Sequence, residues 1–229
     1  MTLESTLPLT GKTVVLTRSQ SQQAEARFLF ESRGAKVLDL PALIIGPPDD
    51  WYPLDEALKE LNDFHWIIFS SVNGVNSVDQ RLQLLGSSLS QMPKSLKIAV
   101  VGRKTAGVLE SLGVIPDFIP PKFVADSLIE HFPKPQFGLK ILIPRVQTGG
   151  RNILNESLSE AGADVVEVPA YESKCPTNFP QKTAFALKNG QVDAIVFTSA
   201  KTAANSAYLL SKFFGKELEA ILLDIKLIS

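Results

Sequence analysis

The chain has little of what cofactor and metal chemistry needs. It holds a single cysteine, Cys175, in 229 residues, so it forms no internal disulfide framework. Pro176 follows that cysteine and no activating pattern surrounds it, so the thiol reads as inert. The two histidines, His65 and His131, lie far apart, without carboxylate or cysteine neighbours at ligand spacing. No metal site is expected, and both histidines read as surface or capping groups. No G-x-G-x-x-G follows a strand pattern and no full G-x-x-x-x-G-K-[ST] is present, which argues against nucleotide binding. Neither sign of charge dominates: 23 Lys and Arg face 24 Asp and Glu, for a net charge of −1. A general affinity for nucleic acid or an anionic membrane surface is therefore not expected. No uncharged apolar run approaches the length of a membrane span, and residues 1–10 carry an acid and no signal-peptide stretch. Together these absences point to a soluble cytoplasmic protein with neither a metal site nor a nucleotide-binding fingerprint.

What is present is a long internal repeat. The run Gly34-Ala35-Lys36-Val37-Leu38-Asp39-Leu40-Pro41-Ala42 returns 128 residues later as Gly162-Ala163-Asp164-Val165-Val166-Glu167-Val168-Pro169-Ala170. At the same shift Trp66-Ile67-Ile68-Phe69-Ser70-Ser71 returns as Ala194-Ile195-Val196-Phe197-Thr198-Ser199. One residue off that register, Thr13-Val14-Val15-Leu16-Thr17-Arg18 returns as Lys140-Ile141-Leu142-Ile143-Pro144-Arg145. A solenoid unit has a period of roughly 20–50 residues. This repeat is a duplicated half-molecule, and a ligand is expected between two similar lobes.

Apolar runs at 13–17, 66–69, 98–101, 139–143, 194–197 and 225–228 alternate with helical patterns at 22–33, 73–85, 105–112, 126–132, 152–161 and 202–213. That alternation predicts an α/β protein: two similar α/β/α lobes with parallel sheets, joined by a two-stranded linker, with a cleft between the lobes. The charged clusters at 56–60 and 212–219 read as solvated helix faces, and Trp51 and Trp66 as core or lobe-surface anchors. Pro41 and Pro169 interrupt two extended stretches, and proline suits an edge or connecting strand. The expected boundaries are a discontinuous first lobe at 1–38 plus 172–229, a second lobe at 46–164, and linker strands at 39–45 and 165–171. The run Leu96-Lys97-Ile98-Ala99-Val100 matches Ile225-Lys226-Leu227-Ile228-Ser229, where the chain stops mid-strand. The first lobe is therefore expected to be truncated at its C-terminus.

In open α/β sheets ligands gather beyond the carboxyl ends of the strands. Those ends read Thr17-Arg18, Ser70-Ser71, Gly102-Arg103-Lys104-Thr105, Pro144-Arg145 and Thr198-Ser199. Small hydroxyl residues and glycine there either cap the next helix or leave its free N–H groups open to a carboxylate. Gly149-Gly150-Arg151 is a turn with a projecting arginine or an anion contact. Tyr171, at the return crossing, is a packed aromatic or a hydroxyl that reaches the cleft.

The ordered set resembles the uroporphyrinogen-III synthase family. It is carried by Val15-Leu16-Thr17-Arg18, Gly34-Ala35 with Pro41, Ile68-Phe69-Ser70-Ser71-Val72-Asn73-Gly74-Val75 and Ala99-Val100-Val101-Gly102-Arg103-Lys104-Thr105-Ala106. Leu142-Ile143-Pro144-Arg145 with Gly150-Arg151, Val168-Pro169-Ala170-Tyr171 and Phe197-Thr198-Ser199 complete it. The resemblance implies a hydro-lyase of tetrapyrrole biosynthesis that converts hydroxymethylbilane, a linear tetrapyrrole with eight carboxylate arms, into uroporphyrinogen III. Loss of water gives an azafulvene. Ring D is then attacked at its substituted carbon, and a spiro intermediate fragments and recloses inverted. No metal or organic cofactor takes part.

The resemblance also implies site residues. Tyr171 matches the family's tyrosine candidate for catalysis, and Ser71, Thr105 and Ser199 match cleft hydroxyls. Ser70, Asn73, Gly74, Gly102, Thr198 and Ala200 would border the substrate, with Arg18, Arg145 and Arg151 as carboxylate partners. The departure is the missing turn and helix after the last strand, which contribute to the cleft in the family. The expected partner is the small-molecule substrate alone, and the expected state is a monomer. The alternatives are a non-catalytic bilobal cytosolic binding protein for an anionic small molecule and a degenerate synthase-like domain.

Overall fold

A computed structural model describes residues 7–18, 23–134, 137–150 and 152–229. In chain order the elements begin with β1 (Thr13–Leu16), α1 (Ala24–Glu31), β2 (Lys36–Asp39) and β3 (Ile44–Gly46). Then come α2 (Tyr52–Lys59), β4 (Trp66–Phe69), α3 (Val72–Leu84), β5 (Lys97–Val100), α4 (Arg103–Ser111) and α5 (Ala125–His131). The chain continues with β6 (Lys140–Val146), α6 (Ile153–Glu160), β7 (Asp164–Lys174) and α7 (Gln181–Lys188). It closes with β8 (Ala194–Val196), α8 (Ala200–Phe214), α9 (Leu218–Leu222) and β9 (Lys226–Ile228).

The chain divides into two compact units. Unit 1 is Met1–Ile44 with Lys174–Ser229, and unit 2 is Ile45–Ser173. Unit 1 carries a sheet of order β2-β1-β8-β9, with every neighbouring pair parallel. Unit 2 carries the order β3-β7-β6-β4-β5, with parallel pairing from β7 through to β5. The repeat equates β1 with β6, β2 with β7, β8 with β4 and β9 with β5. The two sheets thus have the same strand order, and unit 2 adds β3 at one edge.

Strands β1 and β4 are buried along their whole length, as parallel strands covered on both faces should be. In unit 2, Ile67, Phe69, Leu142 and Leu109 are fully buried on one side of the sheet, and Ile68, Ile141 and Leu158 on the other. In unit 1, Val15, Leu40, Ile195 and Leu210 form the main core. The helix-to-strand turn of each copy is closed by a glycine at positive φ: Gly34 at 92° after α1 and Gly162 at 90° after α6.

The sequence pattern differs from this arrangement at α7. Helices α2 and α9 fall at or beside the charged clusters, but α7 has no counterpart in the expected elements. Residues 165–171, expected as a linker strand, lie inside β7 and pair with β6 from Asp164 to Tyr171. Pro169 still stands opposite Arg145, and the register shifts directly after it, leaving Ala170 without a partner on β6. Residues 40 and 42, in the other expected crossing, are fully buried in the core of unit 1.

Two stability predictions arise here. Asp193, just before β8, accepts hydrogen bonds from the Lys12 ammonium and the Thr13 amide, each at 2.8 Å. The Lys12 bond first, and the Thr13 amide second, hold its carboxyl below the usual carboxylate range. A depressed folded pKa gives stability that is present above the unfolded value, about 3.9, and lost as pH falls through the folded one. Asp193→Asn is expected to flatten the fall in melting temperature between pH 7 and pH 3; parallel curves for the two proteins would refute this. In α8, Ser206 is fully buried and its hydroxyl makes no hydrogen bond among the described residues. Ser206→Ala is expected to raise stability by about 1 kcal/mol in urea unfolding, by removing an uncompensated polar group. A lower unfolding midpoint would show that the hydroxyl is satisfied.

Candidate functional site

Strand β4 ends at Phe69, and Ser70 and Ser71 carry the chain into α3. Ser71 has an extended backbone, and its hydroxyl caps α3 by accepting from the Gly74 amide at 3.1 Å. A Cβ at Gly74 would meet the Pro144 carbonyl at 3.3 Å, so the first turn of α3 sits close against β6. On β7 the alternation buries Val168, Ala170 and Glu172 and turns Glu167 to the opposite face, while the register shift after Pro169 sets the Tyr171 ring against the same core as Val168 and Ala170. The Tyr171 hydroxyl lies 3.1 Å from the Ser71 hydroxyl.

Ser70, Ser71, Tyr171, Arg145 and Glu167 border one concavity of about 370 Å³. Its remaining wall is largely apolar, with Val101, Val124, Ala125, Ile143 and Leu154. Arg145 is not a free cation in this arrangement. Its Nη1 donates to both Glu167 carboxylate oxygens at 2.9 Å and to Asn152 Oδ1 at 2.6 Å, and its Nη2 donates to the Gly149 carbonyl at 2.9 Å. The pair is partly shielded from solvent, so the carboxylate neutralises the guanidinium locally.

The other expected residues are distributed as follows. Gly102 caps α4 with an extended backbone, and Thr105 is buried in the first turn of that helix. Asn73 lines a separate concavity of about 520 Å³ with Trp51 and Arg81, where Arg81 is held by Asp55 and lies 4.8 Å over the Trp51 ring. In unit 1, Arg18 is exposed beyond β1, and Thr198, Ser199 and Ala200 are exposed at the start of α8. Ser199 accepts from the Thr202 amide at 3.2 Å while Thr202 Oγ1 accepts from the Ser199 amide at 3.1 Å, a reciprocal cap. Arg151 lies outside the described residues.

Several groups have structural roles. His65 Nδ1 accepts from the Lys140 amide at 2.9 Å, and His131 bonds the Ser127 carbonyl at 3.0 Å. Burial pushes the Cys175 thiol up, against a smaller opposing pull from Lys212. Trp66 is core, 4.9 Å from Phe132. Among the described residues no cluster of three or more His, Cys, Asp or Glu could hold a metal, and no helix is long and apolar enough to cross a membrane.

The sequence reading passed over Glu167 and Thr202. The signal for Glu167 was in the repeat itself, because Asp39 returns there as Glu167 and each acid binds an arginine: Arg27 to Asp39, Arg145 to Glu167.

Matched parallel sheets, with a hydroxyl pair and an apolar wall at the strand ends of one, define a duplicated α/β protein with a candidate acid site. The family model described as uroporphyrinogen-III synthase HemD matches residues 24–226. The uroporphyrinogen-III synthase of Synechococcus elongatus is 46% identical over 213 residues, spanning 93% of this chain and 80% of that protein. A putative uroporphyrinogen-III synthase of Methanothermobacter thermautotrophicus is 30% identical over 219 residues, spanning 93% of this chain and 83% of that one. Among solved structures, a mutant uroporphyrinogen III synthase of Thermus thermophilus aligns with a TM-score of 0.63 at 18% identity, over 94% of this chain and 83% of that chain. The Helicobacter pylori uroporphyrinogen-III synthetase aligns with a TM-score of 0.56 at 18% identity, over 86% and 78%. The two structures speak to the fold alone. The chain belongs to the uroporphyrinogen-III synthase family.

Proposed function

We propose that this protein is a uroporphyrinogen-III synthase, a hydro-lyase that closes hydroxymethylbilane into uroporphyrinogen III with inversion of ring D. The observation that carries the reading is 46% identity to a uroporphyrinogen-III synthase along 93% of the chain. The chemistry begins with loss of the terminal hydroxyl as water. The C–O bond breaks with electrons supplied from the pyrrole, and a weak acid must hand a proton to the departing oxygen. Tyr171 is the proposed donor, since it borders a concavity with an apolar wall suited to a pyrrole ring and carries a weakly acidic hydroxyl. Acetate and propionate arms are taken by N–H groups at the starts of α3 and α4 rather than by Arg145, whose charge Glu167 already answers. Seating the flexible chain in one fold then decides which ring D carbon is attacked. The protein is taken to act in the cytoplasm as a monomer.

The test is product isomer analysis. Hydroxymethylbilane generated in place is incubated with the protein, the products are oxidised, and the uroporphyrin isomers are separated. Isomer III in excess over a protein-free control is expected. Isomer I alone would overturn the reading.

A further inference from the structure

We infer that Ser71 is a positioning residue for Tyr171. Its hydroxyl donates to the phenol oxygen and so leaves the phenolic proton directed at the substrate. The inference rests on Tyr171 as the proton donor and assigns Ser71 a different task from the substrate contact that the family resemblance implies.

The argument is one of donors and acceptors. A serine hydroxyl has one proton and two lone pairs. At Ser71 one lone pair is occupied by the Gly74 amide at 3.1 Å, and an amide N–H can only donate. The second lone pair and the hydroxyl proton remain for the Tyr171 oxygen at 3.1 Å, so the distance alone admits donation from phenol to serine or from serine to phenol. The position favours donation from serine. Ser71 caps the 13-residue helix α3, whose positive end draws electron density from the Ser71 oxygen and makes its proton a better donor. With the bond running Gly74 to Ser71 to Tyr171, the phenol accepts from serine and keeps its own proton for the concavity that both residues border. With the direction reversed, Tyr171 would donate into Ser71 and hold no proton for the leaving hydroxyl.

Three substitutions separate positioning from support. Ser71→Gly removes the hydroxyl and remains a tolerable cap. Ser71→Thr restores the donor. Ser71→Asp caps the helix well but can only accept, so it draws the tyrosine proton away from the substrate. Rates of uroporphyrinogen III formation across hydroxymethylbilane concentrations up to saturation, and melting temperatures, are measured for each. Ser71→Gly is expected to lower kcat about tenfold with KM nearly unchanged, the size of one lost hydrogen bond. Ser71→Thr should recover most of that loss. Ser71→Asp should lower kcat at least as far while melting no earlier than the parent, an outcome that a merely structural role forbids. In a Tyr171→Phe background, Ser71→Gly should cost nothing further.

A raised KM with kcat preserved would overturn the inference in favour of a carboxylate contact. An additive loss in the double variant would overturn it too. If Tyr171→Phe turns over like the parent, the donor assignment fails and the inference with it. Absence of isomer III from the parent protein would strike instead at the function itself.

Discussion

Tyr171→Phe is expected to lower kcat for uroporphyrinogen III formation by about tenfold to a hundredfold, with little change in KM. The lower bound is one hydrogen bond to the leaving oxygen, and the upper bound enters the usual range for a general acid. The substitution removes the hydroxyl and keeps the ring, which packs against the main core of unit 2. Ser71 retains its bond from the Gly74 amide and continues to cap α3. Unfolding free energy should therefore shift by less than about 1 kcal/mol, so a kinetic loss cannot be blamed on misfolding. Slower turnover should also raise the fraction of isomer I, because released substrate closes spontaneously without inversion. Stopped reactions at several substrate concentrations, followed by isomer separation, give kcat, KM and the isomer ratio together. A passive binding protein would bind the substrate and respond to the substitution hardly at all. Unchanged kcat would remove Tyr171 from the chemistry.

Gly34→Ala is expected to cost about 2–3 kcal/mol and Gly162→Ala clearly less, although the two occupy the same place in the repeat. Both have φ near 90°, where a side chain meets its own carbonyl, at a cost of roughly 1–2 kcal/mol. The surroundings separate them. A Cβ on Gly34 would lie 2.9 Å from Thr10 Oγ1, 3.0 Å from Leu7 Cβ and 3.1 Å from the Thr10 amide nitrogen. Backbone and a Cβ cannot step aside without moving the segment ahead of β1. A Cβ on Gly162 would come to 2.8 Å from Phe137 Cδ2, on a side chain that is 84% exposed and can turn away, while the Phe137 Cα and Cβ, at 3.4 and 3.5 Å, lie at ordinary contact distance. Urea unfolding of both variants measures the difference. Equal losses would mean that the dihedral angle alone sets the cost.

The fold was largely legible because the repeat and the apolar runs report the same thing twice. Once β1 matches β6 and β4 matches β8, a parallel order found in one copy constrains the other. Pro169 argues for a connecting strand, and it lies in β7, which pairs with β6 as far as Tyr171 and runs on to Lys174, where unit 1 resumes. Helix α7 was missed because it buries only small residues and a leucine, Thr183, Ala184, Ala186 and Leu187, a stripe too weak to announce itself. In the site, Ser71 and Tyr171 were each visible as candidates, but their bond spans 100 residues. It depends on β7 standing beside β6, β6 beside β4, and α3 following β4, which no local pattern encodes. Arg145 looked like an anion contact because its neutraliser, Glu167, reads in sequence as an ordinary strand acid.

The interrupted first unit has a consequence for how the chain is made. Strand β1 pairs with β8, and the bond from the Thr13 amide to Asp193 spans 180 residues. While the ribosome extrudes β1 and β2, the strand that must stand beside them does not exist. Unit 2 is contiguous from Ile45 to Ser173 and every one of its strands has been synthesised before β8 is translated. Vectorial synthesis therefore completes the inserted half first, and β1 and β2 wait as an unfinished sheet for the second half of their own unit.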